Sequence, residues 1–279
     1  MTDHTDVSPA KRFKDLHRDG CFIMPNAWNA GSAKILAGMG FEAIATTSAG
    51  LALTRGHGDQ TADLPLDATL DNIAEISNAV SLPVSADFEN GYADNPEGVA
   101  ANIRQAAASG AVGASIEDHT GDEIRGLYDI VLAAERVAAA VEAASNLIHP
   151  FVVTARAECY LVGYENAFEE SMKRLKAYAD AGAHCVYSPG VRDRDEIRAF
   201  CSDAGAPVNV LVGMPGMNAT LDEMRDLGVR RLSTGGSLMR ATLAPLVQAA
   251  RDMAEGRFPF PDDAVPEAEV LKLFAGKSA

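Results

Sequence analysis

Three apolar runs in this chain each end in ionisable residues: Ser85-Ala86-Asp87-Phe88-Glu89, Ser115-Ile116-Glu117-Asp118 and Thr154-Ala155-Arg156-Ala157-Glu158. Side chains alternate faces along a strand, so Asp87 and Glu89 share one face, as do Arg156 and Glu158. On neighbouring strands of one parallel sheet, Asp87, Glu89 and Glu117 converge on a small volume with Arg156 beside it. Three inward carboxylates repel one another strongly without a cation. Oxygen-only ligation, with no His or Cys at a metal-ligand spacing, points to Mg2+ or Mn2+. The alternative is that the acids pair with Arg156 and with loop arginines such as Arg55.

Other residues could complete such a site. Ser48-Ala49-Gly50 is small enough for backbone N–H groups to approach an oxyanion, and Ser48 adds a hydroxyl. Arg55-Gly56-His57-Gly58-Asp59 reads as a loop reaching over the site. Ser233-Thr234-Gly235-Gly236-Ser237 stands at the start of the last long helix, where anions often bind. Every lysine (Lys11, Lys14, Lys34, Lys173, Lys176, Lys272, Lys277) falls in a helical stretch or a tail. A Schiff base needs a desolvated lysine at the site, so that mechanism is disfavoured.

The elements that must hold these residues alternate from end to end. Strand-like runs at 22–28, 43–47, 83–89, 112–117, 151–156, 184–188, 208–212 and 231–234 are each followed by a helical pattern. Those patterns lie at 30–39, 66–80, 99–109, 130–144, 167–181, 194–204, 221–226 and 238–255. Eight β/α units, each of about 25–45 residues, favour a closed (β/α)8 TIM-type barrel in one domain spanning 1–279. Gly40, Gly110, Gly182, Gly205 and Gly228 fall where glycines terminate helices, and Asp193 and Thr220 read as N-caps. No G-x-G-x-x-G follows the first strand, which weakens a dinucleotide fold. Residues 257–279 form a Pro-rich tail with a short apolar helix at 267–274, expected to pack on a partner subunit or back on its own barrel.

Composition narrows the partners. The 279 residues carry a formal net charge of −15, which opposes nucleic acid or an anionic membrane as partner. A small anionic ligand needs local positive charge, from a metal or from Arg156. The four cysteines lack paired spacing and read as free thiols of a cytoplasmic protein. No secretory signal or membrane span is visible.

With these motifs in place, the chain resembles the isocitrate lyase/phosphoenolpyruvate mutase superfamily from about Arg12 to Gly256. The marks are Pro25-Asn26-Ala27-Trp28, Thr46-Thr47-Ser48-Ala49-Gly50, Gly58-Asp59, Ala86-Asp87-Phe88-Glu89-Asn90-Gly91-Tyr92, Ile116-Glu117-Asp118, Ala155-Arg156 and Val208-Asn209-Val210. The resemblance implies a barrel whose last helix is exchanged between subunits, in dimers that pair into tetramers. It also implies Mg2+-dependent chemistry next to a 2-oxo acid, through an enolpyruvate-like species. Asp87, Glu89 and Glu117 would hold the metal. Trp28, Ser48, Ala49, Gly50, Arg156 and Asn209 would bind substrate, and Asp59, on the gating loop, would sit near the departing group. His119 joins Asp59 and Arg156 in the expected catalytic set, although the proton donor stays open among His57, His119, Tyr128 and Tyr160.

Departures from the family narrow the choice. Isocitrate- and methylisocitrate-type lyases carry a Lys-x-Cys-Gly-His loop after strand four, where this chain has His119-Thr120-Gly121-Asp122-Glu123-Ile124-Arg125-Gly126. The mutases' Lys- and Asn-bearing loop is missing too. Glu89 replaces a second Asp, Ala157-Glu158 replaces Thr-Asp, and Ser188-Pro189 stands where several lyases have a glutamate. The expected activity is a Mg2+-dependent carbon–carbon lyase or decarboxylase acting on a small 2-oxo or 2-hydroxy dicarboxylate. Oxaloacetate decarboxylation is its simplest form. The alternatives are a phosphonopyruvate-type C–P mutase or hydrolase, and a barrel that binds a 2-oxo acid without turning it over.

Overall fold

Short β-branched and alanine-rich runs set the strands of this barrel, and amphipathic segments return the chain outside it. The computed structural model describes residues 7–58 and 64–275. The strands are β1 (Phe22–Met24), β2 (Ile44–Ala45), β3 (Val84–Asp87), β4 (Gly113–Glu117), β5 (Val152–Arg156), β6 (Cys185–Tyr187), β7 (Val208–Leu211) and β8 (Arg231–Ser233). All pair in parallel in the order β1-β8-β7-β6-β5-β4-β3-β2. The last seam, between β1 and β2, is joined by a parallel bridge of Asn26 with Ala45. The sheet is therefore an eight-stranded, nearly closed barrel, as the alternating pattern predicts.

The helices are α1 (Pro9–Leu16), α2 (Ala30–Gly38), α3 (Ser48–Thr54), α4 (Leu66–Ala79), α5 (Pro96–Ala108), α6 (Ile130–Ser145), α7 (Ala167–Asp180), α8 (Arg194–Asp203), α9 (Leu221–Asp226), α10 (Ser237–Ala254) and α11 (Glu267–Ala275). Two of them, α1 and α3, have no counterpart in the sequence reading. The five helix-ending glycines all adopt positive φ, and Asp193 and Thr220 both cap their helices as expected. Cys21, Cys159, Cys185 and Cys201 are free thiols. Among the described residues no helix is long and apolar enough to cross a membrane.

Helix α1 closes the N-terminal end of the barrel, packing Phe13 against Phe22, Met24, Ala43, Ala45 and Val152. Just beyond it, His17 is buried, donating from Nδ1 to the Phe13 carbonyl at 2.8 Å and accepting at Nε2 from Arg231 at 3.1 Å. That pair of partners fixes the neutral tautomer. Burial first, and then the Arg231 charge, push its pKa from 6.5 down to about 3. The unfolded chain thus takes up this proton below pH 6.5 while the folded chain does not, so the contribution of His17 to stability falls as pH drops from 6.5 towards 3. Between pH 6.5 and 5 the loss amounts to about 2 kcal/mol. The His17→Gln variant, whose amide oxygen can still accept from Arg231, is expected to show a shallower acid limb in urea melts across this window. An unchanged limb would mean that His17 titrates normally.

At the other terminus, α11 lies on α2. The fit depends on Gly38, where an added Cβ would stand 2.4 Å from the Leu273 carbonyl oxygen. Backbone cannot yield as a side-chain tip can, so Gly38→Ala is expected to displace α11 at a cost of roughly 1–3 kcal/mol. Limited proteolysis should then remove the tail sooner while the barrel resists; tail cleavage at the wild-type rate would contradict this docking. Of the two expectations for the tail, the described chain shows the packing on its own barrel. Helix α10 behaves differently: over its 18 residues only Met239 and Asp252 are buried, while Leu246, Val247 and Met253 are exposed.

Candidate active site

Strand register assembles the site. Glu117 pairs with Arg156, Arg156 with Tyr187, Tyr187 with Asn209 and Asn209 with Arg231, one row across five strands. Residues side by side in a sheet share a face, so the whole row points into the barrel. Asp87 pairs with Ser115 on the adjoining strands. These side chains line a cavity of about 140 Å³ together with Met24, Asn26, Thr47, Ser48, Ala49, Glu89, Ser233, Gly235 and Gly236. That is below the roughly 300–1,000 Å³ of pockets for drug-sized ligands, and suits a small acid.

One wall is acidic. Arg156 donates from Nη1 to Asp87 Oδ1 at 2.8 Å and from Nε to Glu158 Oε1 at 2.8 Å, with Nη2 3.1 Å from Glu117 Oε2. One guanidinium thus faces three carboxylates, and Glu89 lines the same cavity. Burial raises the Glu117 pKa well above the usual carboxylate range, although Arg156 opposes it. Burial also raises Glu158, to about 7, again against Arg156. Glu158 Oε2 is buried with no hydrogen-bond partner. Asp87 is further held by the Ser48 amide and hydroxyl, each donating to Oδ2 at 3.0 Å. Glu89 lies just past the end of β3 with φ 43°, a left-handed conformation that a glutamate adopts at a cost of order 1–3 kcal/mol. Such strain concentrates where a side chain must be aimed.

The opposite wall is made by backbone and small residues. Asn26 Oδ1 accepts from the amides of Thr234 and Gly235 at 2.9 and 2.8 Å, and its Nδ2 donates to the Thr46 carbonyl at 2.6 Å. This ties β1, β2 and the turn after β8 together at the cavity rim. The turn passes so close to α3 that a Cβ on Gly236 would meet the Ala49 Cβ at 2.7 Å. The first turns of α3 and α10 therefore meet beside the cavity, and amides in a first turn have no intrahelical acceptors.

The expected site residues divide clearly. Asp87, Glu89, Glu117, Arg156, Ser48, Ala49 and Asn209 all line the cavity. Asp59 lies outside the described residues. Trp28 does not line this cavity: it lines a separate cleft with Asn29, Leu51, Arg55, Asn72 and Glu75, because the chain turns outward into α2 after Ala27. Gly50 also stays out of the cavity; its amide donates to Thr47 Oγ1 at 3.2 Å, which caps α3. His119 is likewise absent from the cavity lining. A bridge to Leu127 folds the loop after β4 back on itself, and His119 Nδ1 accepts from the Gly121 amide at 3.2 Å, so the ring serves the loop. Of the other proton-donor candidates, Tyr128 donates to Asp94 and Tyr160 to Glu196, both away from the cavity.

Lining residues that the sequence does not single out include Met24, Ser85, Ser115, Tyr187 and Arg231. The signal for Tyr187 was the alternation in His184-Cys185-Val186-Tyr187-Ser188. Tyr187 faces inward, and Ser188 beside it faces the other way, its hydroxyl bonding the Ala157 carbonyl and Ser171 behind the sheet.

The donor chemistry of Asp87, Glu89 and Glu117 fits a hard cation, and the surplus of acids over Arg156 leaves negative charge to balance. Among the described residues, however, no three carboxylate, His or Cys groups are gathered closely enough to hold a metal ion. The carboxylates are grouped around the guanidinium.

Comparison with known proteins agrees with this architecture. The model of the phosphoenolpyruvate phosphomutase family matches residues 13–254. A crystal structure of a candidate lyase/mutase from Burkholderia cenocepacia J2315 is 48% identical, covers 96% of both chains and superposes with a TM-score of 0.91. An uncharacterised protein of Mycobacterium tuberculosis is 33% identical over 88% of this chain and 89% of its own. The crystal structure of 2,3-dimethylmalate lyase is 26% identical, with a TM-score of 0.84 and coverage of 96% of this chain and 94% of that one. An oxaloacetate decarboxylase of Bradyrhizobium is 25% identical over 91% of this chain and 88% of its own, and the fold is also that of phosphonopyruvate hydrolase, 24% identical with a TM-score of 0.83. The chain belongs to the isocitrate lyase/phosphoenolpyruvate mutase superfamily, on its phosphoenolpyruvate-mutase-like branch.

Proposed function

We propose that this protein is a divalent-cation-dependent carbon–carbon lyase or decarboxylase of a small 2-oxo or 2-hydroxy dicarboxylate, with an enolpyruvate-like species on its path. The observation that carries the reading is a small cavity lined on one side by Asp87, Glu89 and Glu117 around Arg156, and on the other by Ala49 and the turn at Gly235 and Gly236, with Arg231 at its floor. An anionic ligand and a cation together complement such a division; either alone does not. Asp87, with Glu89 and Glu117 directly or through water, would hold Mg2+ or Mn2+, which when bound supplies positive charge to a ligand's carbonyl oxygen.

The protein's own groups account for the rest of the reaction. Ser48, Ala49 and the turn at Gly235 and Gly236 would seat the substrate carboxylate. For a 2-oxo dicarboxylate, the bond from C3 to the departing carboxylate breaks, its electron pair moves to the C2 oxygen, and carbon dioxide leaves. Arg156 would balance the charge that develops on that oxygen, and a proton then reaches C3 to give pyruvate. Asp59 would stand near the departing group. In solution the protein would be a homo-oligomer, a dimer of dimers. Support comes from α10, on which only Met239 and Asp252 are buried and Leu246, Val247 and Met253 are uncovered, as a helix exchanged between subunits would be.

The test is a product assay over oxaloacetate, 2-hydroxy dicarboxylates such as alkylmalates, and phosphonopyruvate. Pyruvate or its homologue from a dicarboxylate supports this reading. Inorganic phosphate from phosphonopyruvate alone would establish C–P chemistry in its place. Thermal stabilisation by these acids with no product would leave a binding protein.

A further inference from the structure

The site holds two arginines in opposite circumstances. Arg156 faces three carboxylates, so its charge is more than matched by protein groups. Arg231 lines the same cavity, is 2% exposed, and has no carboxylate within ion-pair distance among the described residues. Its partners are all neutral: Nε donates to Asn209 Oδ1 at 2.9 Å, Nη1 to His17 Nε2 at 3.1 Å and Nη2 to Thr154 Oγ1 at 3.0 Å. A guanidinium has five N–H groups, so these three bonds leave two unspent. His17 belongs to the segment that closes the barrel from below, so Arg231 forms the cavity floor between that plug and the ligand space. A buried, permanently charged group with no countercharge is costly, and an anion delivered to it recovers part of that cost.

We propose that Arg231 reads ligand charge: from the cavity floor its guanidinium holds an anionic oxygen of the bound acid, directly or through one water, so that the site selects dianions over monoanions of the same shape. This inference rests on the small-acid reading of the site. Its elements position it for that role. Asn209, Thr154 and His17 come from β7, β5 and the α1 end, and together they fix the plane of the guanidinium without neutralising it. A purely structural tie would use the same three bonds, but it would have no effect on the choice between ligands of different charge.

The test uses the Mg2+-loaded full-length protein and two planar probes, oxalate and oxamate, in which one carboxylate is replaced by a neutral amide. Calorimetric titration of wild type, Arg231→Lys and Arg231→Gln gives the ratio of the two dissociation constants in each. The expected result is a preference for oxalate in wild type that Arg231→Lys largely keeps. Arg231→Gln should lose about 10- to 100-fold in oxalate affinity while oxamate affinity changes little. A ratio unchanged in Arg231→Gln, whatever its melting temperature, would overturn the inference and leave Arg231 as a tie. Should Arg231→Gln fail to fold, a crystal structure of the wild-type protein with Mg2+ and oxalate decides. An oxalate oxygen, or a water bound to it, on the Arg231 guanidinium supports the inference; oxalate bound with neither contact refutes it. If wild type binds neither probe, the small-acid reading itself fails, a result distinct from binding without discrimination.

Discussion

Asp87→Ala is expected to lower turnover by about 10³-fold or more, the scale of removing a preorganised contact to developing charge. It should also abolish the rise in melting temperature on adding Mg2+. Asp87 is the hinge of the acidic wall: one oxygen takes Arg156 at 2.8 Å, the other the Ser48 amide and hydroxyl at 3.0 Å. Loss of the side chain therefore removes a proposed ligand and frees the residue that would seat the substrate carboxylate. The metal-free protein should behave in the opposite sense. Glu89, Glu117 and Glu158 crowd the same region, so deleting one like charge relieves repulsion, and the variant in EDTA should melt at or above the wild-type temperature. Calorimetry with and without Mg2+ separates the two effects. A variant that melts early in EDTA, or still responds to Mg2+, would show that Asp87 serves the fold instead of the ion.

Arg156→Gln has the largest expected effect on stability. The side chains it neutralises are 14% exposed at Asp87, 9% at Glu117 and 1% at Glu158. Removing one partner of a buried ion pair costs about 3–5 kcal/mol, because the remaining charge has neither water nor countercharge. The pH dependence has a definite sign. Burial raises the folded-state pKa of Glu117 and Glu158, and Arg156 restrains that rise. A carboxyl with a raised folded pKa favours folding below its unfolded pKa, near 4.5, and loses that contribution as pH climbs through the folded value. Without Arg156 the folded values rise further, so the variant's deficit should be small near pH 4.5 and widen steadily above pH 7. Urea melts of both proteins in EDTA at a series of pH values check this. A deficit independent of pH would mean that the acids are neutral in the wild-type protein too.

The barrel and the Asp87, Glu117 and Arg156 part of the acidic wall were legible in the sequence because they follow from strand periodicity; Glu89 reaches the cavity from a left-handed residue past the end of β3. Asp87, Glu117 and Arg156 end apolar runs on successive strands, and a parallel register places such ends together. The glycines at 40, 110, 182, 205 and 228 punctuated the helices because few other residues tolerate positive φ. What escaped depended on three-dimensional choices that periodicity does not make. Helix α3 begins at Ser48, two residues after β2, so Ser48-Ala49-Gly50 is a helix start that no strand or helix pattern marked. Tyr187 and Arg231 depend on strand parity, where a slip of one residue exchanges the inward and outward faces. Arg231 begins its strand, whereas the motifs that mark the site stand at strand ends. His119 and Trp28 follow strand ends closely in sequence, yet the loop after β4 and the entry to α2 turn them away from the cavity.

Pyruvate release from the dicarboxylate panel, followed with Mg2+ and again with excess EDTA, tests the central claim most directly. The account predicts at least one 2-oxo or 2-hydroxy dicarboxylate that yields pyruvate or its homologue with Mg2+, falls to background with EDTA, and recovers when Mg2+ is restored. Product formed at the same rate in EDTA would contradict it, since the acidic wall would then be paired to Arg156 alone and no cation would take part.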